Sequence, residues 1–200
     1  MKQLRKFLVS LAVLFSVDAS AISIDLIADH SSVVTGGTVV VQAKISGLDD
    51  NAAPSLGVYD LDFNFDSRLF SFKNLIWGDS DKGNQLDLNG FGSFQSAGSS
   101  TGSINLFELS FDDADSLNTW QAGGFTLFTL VFDAIATGTG NFFLGINSLG
   151  DADANALRAS AGNTQVVVGS VPVSEPSTWL LLLGALSVLM LRARAAQSTK

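Results

Sequence analysis

The chain has 200 residues, no cysteine, one histidine and a formal net charge of −8. The lack of cysteine excludes thiolate nucleophiles, Cys-ligated zinc and iron–sulfur clusters. The acidic balance argues against a surface built for nucleic acid or anionic lipid.

Lys2, Arg5 and Lys6 precede the apolar run Phe7–Val17, which is closed by Ala19-Ser20-Ala21. A basic start, a short apolar stretch and small residues in the A-x-A pattern define a secretory signal peptide over residues 1–21, cleaved after Ala21. The mature chain then starts at Ile22 and the protein is exported.

Residues 22–171 form one domain, long enough to bury a core without covalent staples. It carries seventeen Asp or Glu against five Lys or Arg, and Glu108 is its only glutamate. Asp together with Asn and Gly favours turns and strand ends over helices. The hydrophobic period is two. In Tyr59-Asp60-Leu61-Asp62-Phe63-Asn64-Phe65-Asp66 the odd positions are apolar and the even ones polar, which predicts a strand with Tyr59, Leu61, Phe63 and Phe65 facing inward. Thr38–Ser46 repeats the pattern with Val39, Val41, Ala43 and Ile45. Thr126–Ala136 does so with Phe128, Leu130, Phe132 and Ala134, and its second face is partly apolar, as in a central strand. Shorter strands are expected at Ser23–Ala28, Leu69–Trp77, Ser103–Phe111, Asn141–Asn147 and Thr164–Val171. Gly-rich breaks separate them, and no helical window precedes the tail. Eight to nine short strands at this spacing predict an all-β fold, an antiparallel sandwich or jelly roll.

Three blocks of this domain resemble the cohesin and carbohydrate-binding-module superfamily. They are Gly37-Thr38-Val39-Val40-Val41 with Ile45-Ser46-Gly47, Val58 to Phe72, and Phe125–Ala136 running into Thr137-Gly138-Thr139-Gly140. Asp66-Ser67-Arg68 lacks the proline of the cohesin turn. The resemblance implies a nine-stranded sandwich and a binding role towards polysaccharide or a dockerin-like protein, with no catalytic residue to carry over.

Few constellations could support chemistry. His30 lies in a turn-like segment, and no G-x-S-x-G elbow accompanies it, so a Ser/His nucleophile system has no support. A glycosidase needs two facing carboxylates, whereas the Asp residues here alternate outward on strands or gather in loops. Asp151-Ala152-Asp153-Ala154-Asn155 has the D-x-D-x-N spacing that brings Asp151, Asp153 and Asn155 round one hard cation, which makes Ca²⁺ the cofactor candidate against a plain acidic turn. A second oxygen-rich loop holds Asp79, Asp81, Asn84, Asp87 and Asn89, and neither loop completes an EF-hand. Trp77, Trp120 and Phe91, at strand ends or loops, are the candidates for stacking on sugar rings, against ordinary packing.

Residues 172–200 form a tail. Ser174-Glu175-Pro176 leads through Ser177 and Thr178 to thirteen uncharged residues, Trp179–Leu191, followed by Arg192 and Arg194. A helix over 178–193 is marginal for a membrane span, since thirteen residues cover ~20 Å of a ~30 Å hydrocarbon layer. The two arginines favour a cytoplasmic C-terminus and halt the segment in the membrane. This order resembles the PEP-CTERM sorting signal, also called the ice-binding-protein C-terminal motif, with Ser174 in place of the first proline of Pro-Glu-Pro. The resemblance implies recognition by an exosortase-type membrane transpeptidase, an inner-membrane-anchored intermediate, and a final place at the cell surface or in an exopolysaccharide matrix. The expected function is non-enzymatic binding or scaffolding. A secreted carbohydrate-active hydrolase using Asp or Glu108, and a matrix protein without a specific ligand, are the alternatives.

Overall fold

The computed structural model describes residues 21–170 and Leu186. The signal peptide with Ala19 and the tail with Ser174, Glu175, Pro176, Arg192 and Arg194 lie outside the described residues, and Ala21 stands just before the first strand. Among the described residues, no helix is long and apolar enough to cross a membrane.

Eleven strands and one short helix follow in order: β1 Ile22–Ala28, β2 Ser32–Val34, β3 Thr38–Ser46, β4 Leu56–Phe65, β5 Phe70–Trp77, β6 Ser93–Ser100, β7 Ser103–Ser110, α1 Ala114–Trp120, β8 Phe125–Ala134, β9 Gly138–Asp151, β10 Ala159–Ala161 and β11 Asn163–Gly169. They form a five-stranded sheet, β10-β1-β3-β8-β5, and a six-stranded sheet, β2-β11-β9-β4-β7-β6. The sandwich expected from the period-two pattern is present, with more strands than the eight or nine foreseen. Its sheets are mixed, because β1 pairs with β10 and β11 with β2 in parallel.

The alternation in β4 explains why it sits inside the six-stranded sheet. Tyr59, Leu61 and Phe63 are fully buried, Phe65 is half-buried, and Asp60, Asp62 and Asn64 face away from the core. Phe128, Leu130 and Phe132 of β8 meet them from the other sheet. Phe132 anchors an aromatic cluster with ring centroids 5.6 Å from Phe63, 4.9 Å from Phe65 and 5.2 Å from Phe142, within the range where rings attract beyond their area burial. Close packing of these rings dictates a glycine at 140, where any Cβ would collide with the Phe70 ring.

Three strands and the helix depart from expectation. β2 and β10 have three residues each, too few to show a period. β6, which is among none of the expected strands and whose second half falls in the Gly-rich break Ala97–Gly102, pairs with β7 over its whole length. The helix α1 is one of seven residues, capped by Asp113, whose side chain accepts from the Ser116 N–H at 2.8 Å, and it buries Leu117. An N-cap of this kind supports a short helix where hydrophobic periodicity is absent.

Candidate functional site

The outer face of the six-stranded sheet is the feature that the core does not explain. β4 and β7 are antiparallel with Val58 opposite Leu109, Asp60 opposite Phe107 and Asp62 opposite Asn105. β6 continues these rows, placing Phe94 beside Leu109, Ser96 beside Phe107 and Gly98 beside Asn105. On the other flank β9 sets Gly145 beside Asp62 and Phe143 beside Asn64. The face therefore has an apolar corner of Phe94, Phe107, Leu109 and Val58, an acidic centre, and Phe143 at the opposite corner. Phe94 is 55% exposed, Phe143 53% and Leu109 40%. Phe94 and Phe107 meet edge to face with centroids 6.0 Å apart.

The acidic centre is braced. Asn105 Nδ2 donates to Asp60 Oδ1 at 2.7 Å and to Asp62 Oδ1 at 2.9 Å, and Asn147 Nδ2 donates to Asp60 Oδ1 at 3.1 Å. Amide donors between the two carboxylates offset their repulsion and fix both in one orientation, without a cation. The outer face of the five-stranded sheet presents Thr38, Gln42, Lys44, Thr129 and Asp133 with the aliphatic Ile27 and Ile76, each about half exposed, and differs in carrying no exposed aromatic ring. There Asp133 accepts from Lys73 Nζ at 2.9 Å and from Thr38 Oγ1 at 3.3 Å. An antiparallel sheet with one solvated face ordinarily alternates in this polar-out manner. Of the two outer faces only that of the six-stranded sheet carries exposed rings, Phe94 and Phe143, and exposed apolar groups rimmed by polar ones mark a surface that meets a partner.

Behind the face lies a polar network that the sequence reading did not place. Glu108, on the inner side of β7, is fully buried. Its carboxylate accepts from Tyr59 Oη at 2.9 Å, Asn84 Nδ2 at 2.6 Å, Ser93 Oγ at 2.6 Å and Gln95 Nε2 at 2.9 Å. Four donors satisfy the anion, so its burial is tolerated. Burial, and then the charge of Glu108 and the bond to it, push the Tyr59 hydroxyl well above its ordinary range. The signal was present: in Ile104-Asn105-Leu106-Phe107-Glu108, Glu108 shares the parity of the two inward aliphatic residues.

The same network pins the long segment between β5 and β6. Gln121 Nε2 donates to Leu56 O and to Gln85 O, both at 2.9 Å, while Gln85 Oε1 accepts from the Ala122 N–H at 3.0 Å. Asp79 accepts from the N–H groups of Thr126 at 2.8 Å, Asp81 at 2.9 Å and Lys82 at 3.1 Å. Partial burial would raise its carboxyl, but these backbone donors outweigh it and lower it to about 2. Asp112 Oδ2 accepts from the Leu88 N–H at 2.6 Å, and its Oδ1 is buried without a hydrogen-bond partner among the described residues.

The site residues expected from sequence are dispersed. Trp77 ends β5, half-buried against the core, and Trp120 ends α1, 67% exposed, so the two form no common platform. Asp151 Oδ1 accepts from the N–H groups of Asp153 at 3.0 Å and Asn155 at 2.7 Å, and Oδ2 accepts from Asn155 Nδ2 at 3.1 Å. The turn's own donors thus occupy Asp151, and among the described residues no three His, Cys, Asp or Glu side chains gather round one point. His30 is exposed, with Nδ1 3.0 Å from Asp29 Oδ2.

No protein-family model and no curated protein matches the sequence. Solved structures do match the fold. A non-cellulosomal cohesin from the archaeon Archaeoglobus fulgidus is 19% identical with a TM-score of 0.53, over 74% of this chain and 92% of that one. A type I cohesin–dockerin complex from Clostridium thermocellum gives 17% identity and a TM-score of 0.55, over 74% and 99%. A type II cohesin domain from the cellulosome of Acetivibrio cellulolyticus gives 14% and 0.57, over 73% and 95%. The domain is cohesin-like in fold.

Proposed function

We propose that this chain is a non-enzymatic protein-docking module that holds its partner on the outer face of the six-stranded sheet. The observation that carries the proposal is the pairing of an apolar corner, the exposed Phe94 and Leu109 with the half-buried Phe107, with a braced acidic centre, Asp60 and Asp62. Aromatic anchors supply binding energy, and fixed charge selects register and steers association. The partner is a dockerin-like module, as in the type I cohesin–dockerin complexes that share the fold, and the acidic centre calls for basic side chains set between apolar ones. The burial of Glu108 under four hydrogen bonds speaks against a hydrolase that uses Glu108, because that carboxylate reaches no open surface. The test is titration of the purified chain against a panel of dockerin modules by surface plasmon resonance. Saturable one-to-one binding that weakens with salt supports the reading, and no binding across the panel, with polysaccharide binding instead, overturns it.

Export and sorting belong to the same proposal. The A-x-A end of the leader and the order Ser174-Glu175-Pro176, apolar run, Arg192 and Arg194 support delivery to the envelope and handling by an exosortase-type transpeptidase, which would display the module at the surface or in matrix. Mass spectrometry of the mature protein from a host with such an enzyme tests this. A C-terminus near Pro176 is expected, and an intact C-terminus at Lys200 refutes it.

A further inference from the structure

Among the described residues the sandwich has four sheet edges, and one of them is unguarded. β2 and β10 end their sheets with three residues each. β5 is longer, but its ladder with β8 shifts register between Phe72 and Asn74, leaving Lys73 at a bulge. Short edges, bulges and lysines are the devices that stop edge strands from pairing with other chains. β6 has none of them. Its eight residues, Ser-Phe-Gln-Ser-Ala-Gly-Ser-Ser, contain no charge and no proline, and its register with β7 runs unbroken from Ser93–Ser110 to Ser100–Ser103. Every residue from Phe94 to Ser100 is exposed.

We propose that two copies of this chain pair antiparallel through β6, joining their six-stranded sheets into one. A strand edge meeting itself antiparallel under a two-fold axis is self-complementary, so the chain supplies both halves of the ladder. Apart from Phe94 and Gln95 the strand offers small side chains and free backbone groups, which suit an identical strand and give an apolar peptide little to rest on. Charge does not oppose the pairing. β7 carries only the buried Glu108, and the nearest acids on this face, the half-buried Asp60 and Asp62, lie two strands in, on β4. Across the join they are five strand spacings from their counterparts, ~24 Å, against a screening length of ~8 Å at physiological salt. The two-fold stands perpendicular to the sheet, so both docking faces point the same way and the two Phe94 corners flank the join. An eight-residue edge buries less than the ~1,200–2,000 Å² of a standard interface, so the dimer is concentration-dependent.

The cysteine-free sequence gives a clean test. Cysteine is placed in turn at Ser96, Ala97 and Gly98, and at Ser160 on the β10 edge as a control, in the full chain in detergent, so that any contribution of the tail is common to all variants. At Gly98 an added Cβ meets nothing within 4 Å. Copper phenanthroline then oxidises paired thiols. The expected result is a disulfide-linked dimer at one or more β6 positions, at several times the Ser160 yield, abolished when Ser96→Asp is added to the Ala97→Cys variant while circular dichroism stays native. Yields no higher than the Ser160 control, or a cross-link that survives Ser96→Asp, overturn the proposal.

Discussion

Replacing Glu108 with alanine is the perturbation that separates a structural carboxylate from a spectator. Glu108 and Tyr59 are fully buried, and the substitution strands the Tyr59 hydroxyl in the interior and frees Asn84, which ties the segment after β5 to β7. Each hydrogen bond to a charged group contributes about 1.5–3 kcal/mol, but the four share one acceptor and do not add. Removing one side of a buried polar system typically costs about 3–5 kcal/mol, a large part of the ~5–15 kcal/mol that holds a domain together. Glu108→Ala is therefore expected to lose about 3–5 kcal/mol. Glu108→Gln keeps one acceptor oxygen but turns an amide donor towards other donors, at about 1–2 kcal/mol, and Tyr59→Phe leaves three donors in place, at about 1 kcal/mol. Urea denaturation followed by fluorescence, with the slope checked for constancy, measures all three. A loss under about 1 kcal/mol for Glu108→Ala, or a greater loss for the glutamine, refutes the network account.

Phe63→Ala, which opens a hole beneath Phe132 and Phe142, should cost about 3–5 kcal/mol, while Asp62→Ala on the opposite face stays within about 0.5 kcal/mol; equal effects in urea melts would mean that the β4 register is wrong. Asp79 is lowered to about 2 from 3.8, so it stabilises the fold above the unfolded value, and that contribution disappears as pH falls from about 4 to 2. Asp79→Asn should accordingly destabilise by on the order of 1–2 kcal/mol at pH 7 and by nothing near pH 2, in paired chemical melts. The Ca²⁺ expectation at Asp151, Asp153 and Asn155 is decided by thermal melts in millimolar Ca²⁺ against chelator at matched ionic strength. With the Asp151 oxygens held by the turn, no Ca²⁺-specific shift is expected, and one that is lost in Asp151→Ala with Asp153→Ala would contradict this.

What could be read from the sequence follows from which faces are buried. β3, β4 and β8 show their period because one side of each lies in a dry core, so Val39, Tyr59 and Phe128 mark the register by themselves. β6 does not, because it is exposed on both faces and held by the β7 ladder through backbone groups, which leaves a Ser- and Gly-rich strand looking like a loop. α1 is too short for a helical stripe, and only Leu117 is buried on it. The outer face of the six-stranded sheet is half legible. The sequence places Asp60 with Asp62, and Asn105 with Phe107 and Leu109, on common faces of their own strands. Their alignment depends on β4 pairing with β7 across some forty residues, a long-range choice made by the core and invisible in either strand alone.

The most direct measurement is the affinity of a dockerin module bound in the panel for four chains: wild type, Phe107→Ala, Asp60→Ala, and Thr129→Ala on the outer face of the other sheet. Docking on the six-stranded sheet predicts a ten- to hundredfold weaker Kd for Phe107→Ala, a smaller, salt-dependent loss for Asp60→Ala that falls mainly on the association rate, and no change for Thr129→Ala. Unchanged affinity in the first two variants, or a loss confined to Thr129→Ala, would contradict it.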